Sequence, residues 1–153
     1  MIENRKRRLS VTTQGNVSYE QVTNYDEWSR PSLMRTRPAG ASNGDALEWT
    51  CAYSYDVAGR LDRITDSQVS ENPFIYGYHS NANLITSMTH PNGMVVNREW
   101  EERGHLTNIT TTDSGDEALR SFDYRINTLG QRETIEREDG TELTLAYDQQ
   151  RQL

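Results

Sequence analysis

The sequence predicts an all-β chain in which tandem antiparallel β-hairpin repeats form a curved strip one layer thick. Three observations carry this expectation. A short segment returns along the chain with a period in the low twenties. Aromatic and aliphatic residues alternate before each return. The apolar content is too small for a thick core.

The 153 residues are 33% hydrophobic and 25% charged, with a mean hydropathy of −0.89. Ordinary globular domains are about 45–50% apolar with glycine counted, so a two-layer core is hard to build here. Eight Tyr, three Trp and two Phe suit the ridges of a single sheet. The net charge of −7 argues against a nucleic-acid partner, because such binders need a basic field to replace counterions. The one basic run, Arg5-Lys6-Arg7-Arg8, reads as a solvated start to the first strand. Cys51 is the only cysteine, so no disulfide forms within the chain. Met1-Ile2-Glu3-Asn4 is not followed by an apolar stretch, which leaves no signal-peptide reading. No run reaches the roughly 18 apolar residues that a membrane helix requires.

The repeat is clearest at Tyr55-Asp56-Val57-Ala58-Gly59-Arg60-Leu61. It returns at Trp100, with Gly104 and Leu106, and at Ile126, with Asn127 and Gly130. Weaker copies start at Tyr25 and Tyr78, and a further copy starts at Tyr147-Asp148. The starts at 25, 55, 78, 100, 126 and 147 imply one array over 1–153 of about six hairpins, degenerate over 1–50 and clearest over 49–153. Repeats of this length are supersecondary units that bury their faces against neighbours.

Each part of the unit has a physical reason. Trp49, Cys51, Tyr53 and Tyr55 alternate, as do Phe74, Tyr76 and Tyr78, then Phe122, Tyr124 and Ile126, then Leu143, Leu145 and Tyr147. Period two places each set on one face of a strand. Asp, Asn or Glu follows; a short Asp or Asn side chain accepts a hydrogen bond from the backbone two residues on and starts a turn. Gly59, Gly104 and Gly130 come three positions later, where positive φ is expected. The chain returns with Leu61 and Ile64, Leu106 and Ile109, or Ile135 facing inward.

Second turns are expected at Asn43-Gly44-Asp45, Asn72-Pro73, Pro91-Asn92-Gly93, Asp113-Ser114-Gly115 and Asp139-Gly140. Leu9 to Tyr25, broken at Gln14-Gly15-Asn16, reads as one more hairpin. Pro31 and Pro38 mark roughly Arg30 to Asp45 as the least regular stretch, and no segment shows helical period.

Tyr53-Ser54-Tyr55-Asp56-Val57-Ala58-Gly59-Arg60-Leu61-Asp62-Arg63-Ile64-Thr65 resembles the YD repeat of the RHS family, Y-x-Y-D-x-x-G-R-L-x-x-x-T. The resemblance extends over about residues 19–153. That family includes bacterial polymorphic toxins, insecticidal toxin-complex components and teneurins. The resemblance implies a strip of hairpins that, in full-length members, spirals into a hollow shell around a toxic C-terminal domain. It also implies a secreted or cell-surface setting. The family's Asp-Pro-x-Gly-type core motif and a cargo domain are not found in these residues, and about six hairpins are too few to enclose a cargo. The expected partner is therefore the remainder of a larger protein, or another chain paired edge to edge.

Other constellations give bland readings. His79, His90 and His105 occupy different repeat positions and share no metal-ligand spacing; they read as turn residues. Asp56, Glu101 and Asp148 are turn starters rather than a hydrolytic carboxylate pair. No G-x-S-x-G elbow or phosphate-binding glycine loop occurs. Cys51 reads as a small packing residue. No catalytic residue, cofactor or metal is expected. The aromatic ladder of Tyr53, Tyr55, Tyr76, Tyr78, Trp100 and Tyr124 reads first as cross-strand packing. The alternative is a face that binds glycans or a protein; an enzyme is disfavoured.

Overall fold

The computed structural model describes residues 6–14, 17–41 and 47–148. Every regular element among them is a β-strand, and every pairing is antiparallel. The all-β hairpin expectation holds. The chain divides into two compact units, Met1–Phe74 and Ile75–Leu153.

The first unit is a meander of β1 (Lys6–Gln14), β2 (Val17–Tyr25), β3 (Pro31–Pro38), β4 (Trp49–Tyr55) and β5 (Leu61–Asp66). The hairpin expected over Leu9 to Tyr25 is β1 paired with β2. Of the stretch expected to be least regular, roughly Arg30 to Asp45, the first half is corrected, while residues 39–40 are a turn. Pro31–Pro38 is a regular strand paired with β2 on one side and β4 on the other. The two prolines stand at its first and last residues, where a missing N–H disturbs the ladder least. The expected turn at Asn43-Gly44-Asp45 lies outside the described residues.

The second unit contains β6 (Phe74–Tyr78), which begins at the boundary, β7 (Ile85–Thr89), β8 (Val95–Trp100), β9 (Leu106–Thr112), β10 (Ala118–Ile126), β11 (Arg132–Arg137) and β12 (Glu142–Thr144). Each pairs with the next in sequence order. The alternation at Leu143, Leu145 and Tyr147 becomes strand only over Glu142–Thr144; Tyr147 and Asp148 follow it, and residues 149–153 are not described. Among the described residues no helix is long and apolar enough to cross a membrane.

Burial is thin, as the composition requires. Among the described residues Cys51 is the only buried hydrophobic side chain, at 7% exposure, and no side chain is completely buried. Residues paired across antiparallel strands share a face, and this separates the two faces of each unit. In the first unit Thr23, Met34 and Cys51 form one row, beside the pair Tyr53 and Ile64. The opposite face holds ion pairs: Arg37 to Glu20 at 2.7 Å, and Arg37 and Arg35 to Glu48 at 3.5 and 3.6 Å.

In the second unit one face carries the row Tyr76, Met88, Val96, Thr111 and Arg120. Next on that face come Arg98, Ile109, Phe122 and Arg137, then Tyr124, Ile135 and Leu143. The other face carries Glu99, Asn108, Asp123, Glu136 and Glu142 in one row.

Candidate functional site: the turn ladder and the aromatic face

The repeat residues build one loop, used again and again. At Asp56 the backbone N–H donates to the Arg60 carbonyl at 2.8 Å, and the Gly59 N–H donates back to the Asp56 carbonyl at 2.9 Å. The same two bonds close the loops starting at Asp26, His90, Glu101, Asp113, Asn127 and Arg137. This is a three-residue hairpin loop whose last residue is left-handed. Positive φ falls on Gly59, Gly93, Gly104, Gly130 and Gly140, and also on Ser29 and Asp116 at 64° each. The register shifts one residue before these loops, at Tyr25, Tyr55, Trp100 and Ile126, as a loop-adjacent bulge does.

One expectation about the second turns is corrected. After β5 the turn starts at Asp66, whose Oδ1 accepts from the Gln68 N–H at 2.9 Å; Asn72-Pro73 lies downstream of it. The turn expected at Asp113-Ser114-Gly115 is present, and its left-handed residue is Asp116, because loop closure fixes the fourth position whatever residue stands there.

The turn starter does more than the sequence implies. Asp56 Oδ1 accepts from the Ala58 and Arg60 N–H groups at 2.9 and 2.8 Å, while Oδ2 accepts from Arg60 Nε at 2.7 Å. Asp26 repeats all three bonds with Trp28 and Arg30. Partial burial works to raise both carboxyls, but the backbone and guanidinium donors outweigh it and hold them below their ordinary value. Elsewhere the first and fifth residues change together. Glu101 pairs with His105 Nδ1, and Asn127 Oδ1 takes the two backbone bonds while its Nδ2 donates to Gln131 Oε1 at 3.1 Å. His79 stands in the Asp position of a longer loop, its Nδ1 accepting from the Asn81 N–H at 3.2 Å. Sequence reasoning missed this first-to-fifth pairing. The signal was present as Asp/Arg, Asp/Arg, Glu/His and Asn/Gln at the same two positions.

The residue that closes a loop also reaches the next loop on the same edge. The place a Cβ would take on Gly59 lies 3.2 Å from Arg30 Nη1, on Gly104 it lies 4.0 Å from Leu84 Cδ1, and on Gly130 it lies 2.8 Å from His105 Nε2. On the opposite edge the Gly93 position lies 2.8 Å from Ser114 Cβ. At Gly93 and Gly130 glycine allows a close approach as well as the φ, whereas a Cβ on Gly104 would make ordinary contact.

The ladder aromatics are tied to the same frame. Tyr55 donates its hydroxyl to the Pro31 carbonyl at 2.8 Å, and Trp100 donates Nε1–H to the Ile85 carbonyl at 2.9 Å. Both acceptors follow the residue that closes the preceding loop, Arg30 and Leu84. Arg30 lies over the Tyr55 and Trp28 rings at 4.1 and 4.7 Å, and Arg132 lies over Tyr124 at 4.3 Å. Phe122 and Tyr124 stack at 6.5 Å. The hydrogen bond with Cys51, then burial, push Tyr53 up to about 12. Tyr76 pairs with Met88 and Tyr78 with Ile85; Leu61 lies opposite Tyr55 and Leu106 opposite Trp100.

No family model matches the chain, and no curated protein matches it. Solved structures do. The crystal structure of TcdB2-TccC3-Cdc42 is similar over 88% of this chain with a TM-score of 0.70 and 19% identity. The fold is that of a stretch of TcdB2-TccC3. A second crystal structure, of TcdB2-TccC3, matches over 86% with a TM-score of 0.67 and 18% identity. The Tc holotoxin pore of Photorhabdus luminescens with a mutated TccC3 matches over 79% with a TM-score of 0.59 and 19% identity. The chain spans only 7%, 7% and 5% of those three chains. At these identities the likeness concerns the fold.

Proposed function

We propose that this chain is a non-catalytic building segment of an RHS-type YD-repeat shell, part of a larger secreted or surface protein of the toxin-complex kind. The observation that supports it is the ladder contact. The fifth residue of one loop closes its own turn and packs on the turn glycine of the next hairpin, as Arg30 does on Gly59 and His105 on Gly130. Side chains that recur in the repeat are thereby engaged in stacking one hairpin on another, the organisation of a one-dimensional array. The aromatics at the end of the strands donate their polar groups to neighbouring backbone, which favours packing over a free glycan platform. On this reading the 153 residues are one continuous array, completed by the rest of its protein or by an edge-paired chain.

The test compares thermal melts and glycan-array binding of the full chain and of Tyr55→Ala and Gly59→Val. The shell reading expects both variants to melt several degrees lower, with no saturable glycan binding to lose. A Tyr55→Ala chain that melts normally but has lost glycan binding would establish the binding-module reading instead. Turnover abolished by replacing a single acid or histidine would overturn the non-catalytic assignment.

A further inference from the structure

We infer that the aromatic face of the second unit docks a polypeptide segment presenting an Asp or Glu carboxylate between apolar side chains. This deepens the shell reading by naming the chemistry of a partner, and it rests on that reading for the partner being polypeptide.

The face is one-sided in charge. Arg98 and Arg137 flank Ile109 and Phe122 in a single row, Arg132 lies over Tyr124, and Arg120 ends the adjoining row. None of the residues in the three cross-strand rows of this face is acidic. Of the carboxylates of these strands, Glu99, Asp123, Glu136 and Glu142 line the other side of the sheet, and Glu133 stands unpaired at the register shift of β11 beside Arg132. Arg98 Nη1 is buried and makes no hydrogen bond within the chain. A guanidinium keeps its charge and its five donors at all ordinary pH, and a buried charged donor without an acceptor is costly. A carboxylate is its geometric complement, bound through a two-pronged contact.

The neighbours of Arg98 select the kind of anion. Ile109, Phe122 and Tyr124 separate the arginines, so the occupant must bury apolar groups beside its charge. An extended polyanion fits poorly: the chain carries a net charge of −7, and an acidic row lies one sheet thickness away. A neutral glycan leaves Arg98 unmatched.

The experiment titrates the full 153-residue chain against a fluorescent peptide of alternating Leu and Glu and against its Leu/Gln counterpart, read by fluorescence polarisation. A single-stranded oligodeoxynucleotide is the polyanion control, and light scattering monitors self-association. The Glu peptide is expected to bind at least ~10-fold tighter than the Gln peptide, the size of a desolvated charge pair. Arg98→Gln and Arg137→Gln should each erase most of that preference, while Glu136→Gln on the opposite face keeps it. If Arg98→Gln fails to fold by circular dichroism, the exposed Arg137 decides. Absent binding, equal affinity for the two peptides, or Arg137→Gln leaving the preference intact overturns the proposal. So does tighter binding of the oligodeoxynucleotide, or self-association that Arg137→Gln abolishes. Failure here leaves the melting of Tyr55→Ala, in the other unit, to judge the shell reading separately.

Discussion

Arg30 joins two hairpins: its Nε donates to Asp26 Oδ2 in its own turn at 2.8 Å, and its guanidinium lies 4.1 Å from the centre of the Tyr55 ring in the next. The side chain is a rivet between neighbours, and Tyr55 completes the link by donating to the Pro31 carbonyl. Arg30→Ala should therefore lower the melting temperature more than Arg63→Ala, whose side chain is 53% exposed and bonds its sequence neighbour Asp62. The ring contact alone is worth about 0.5–2 kcal/mol, and each kcal/mol moves the melt of a chain this long by about 2–4 °C. Equal melts for the two variants would remove Arg30 from this role.

Glycines with the same φ should respond differently to a methyl group. Gly130 and Gly140 sit at φ 80° and 76°, but a Cβ on Gly130 would lie 2.8 Å from His105 Nε2 while one on Gly140 meets open space. Both alanine variants incur the left-handed strain of about 1–2 kcal/mol. Gly130→Ala must also displace His105 from the ladder, so its denaturation midpoint should fall further. Identical midpoints would mean that the approach of His105 carries no energy.

The converse substitutions should stabilise. Ser29 and Asp116 hold φ 64° where the other loops have glycine. Ser29→Gly and Asp116→Gly relieve about 1 kcal/mol of strain each, part of which is offset by the greater freedom of glycine in the unfolded chain. Urea midpoints should rise slightly for both. A fall in both would show that these side chains contribute more in place than their backbone strain costs.

Much of this was legible in the sequence, and the limits are instructive. Asp56, Gly59 and the alternation ending at Tyr55 point to a hairpin because each residue acts locally, within four positions. The role of Arg60 was not legible from one copy; only the parallel change to His105 beside Glu101, or Gln131 beside Asn127, shows that the fifth residue answers the first. Pro31 and Pro38 misled because proline was weighed as a breaker without asking where in a strand its missing N–H would fall. The division of charge between the two faces of the second unit needed the register, which a bulge beside each loop shifts by one residue.

Acid should loosen the turns. The donors around Asp26 and Asp56 outweigh the opposing effect of burial, and the hydroxyl and N–H of Thr141 act on Asp139; all three carboxyls are held below the ordinary 3.8. A group whose folded pKa is depressed adds stability above its unfolded value and loses it as pH falls through the folded one. Melting temperature should thus be level through neutral pH and drop below about pH 4. Asp56→Asn keeps the Oδ1 acceptor for the two backbone bonds but carries no charge, so its chain should melt lower at pH 7 and lose less on acidification.

Alkali tests the other end of the range through Tyr53, which is pushed up to about 12 by its hydrogen bond with Cys51, then by burial, then by the negative charge nearby. A raised pKa means that the fold favours the protonated phenol. Its stabilisation is complete below the unfolded value near 10 and is lost as pH rises toward 12. Burial and then Asp26 raise Tyr55 as well, so a tyrosinate absorbance titration of the wild type should show a late-titrating component whose latest part Tyr53→Phe removes. The same variant should soften the fall in melting temperature between pH 10 and 12. If instead the latest part of the titration were unchanged in Tyr53→Phe, the hydrogen bond of Tyr53 with Cys51 on β4 would not be its source, and the aromatic row would have to be more open to solvent at that point than its place beside the buried Cys51 implies.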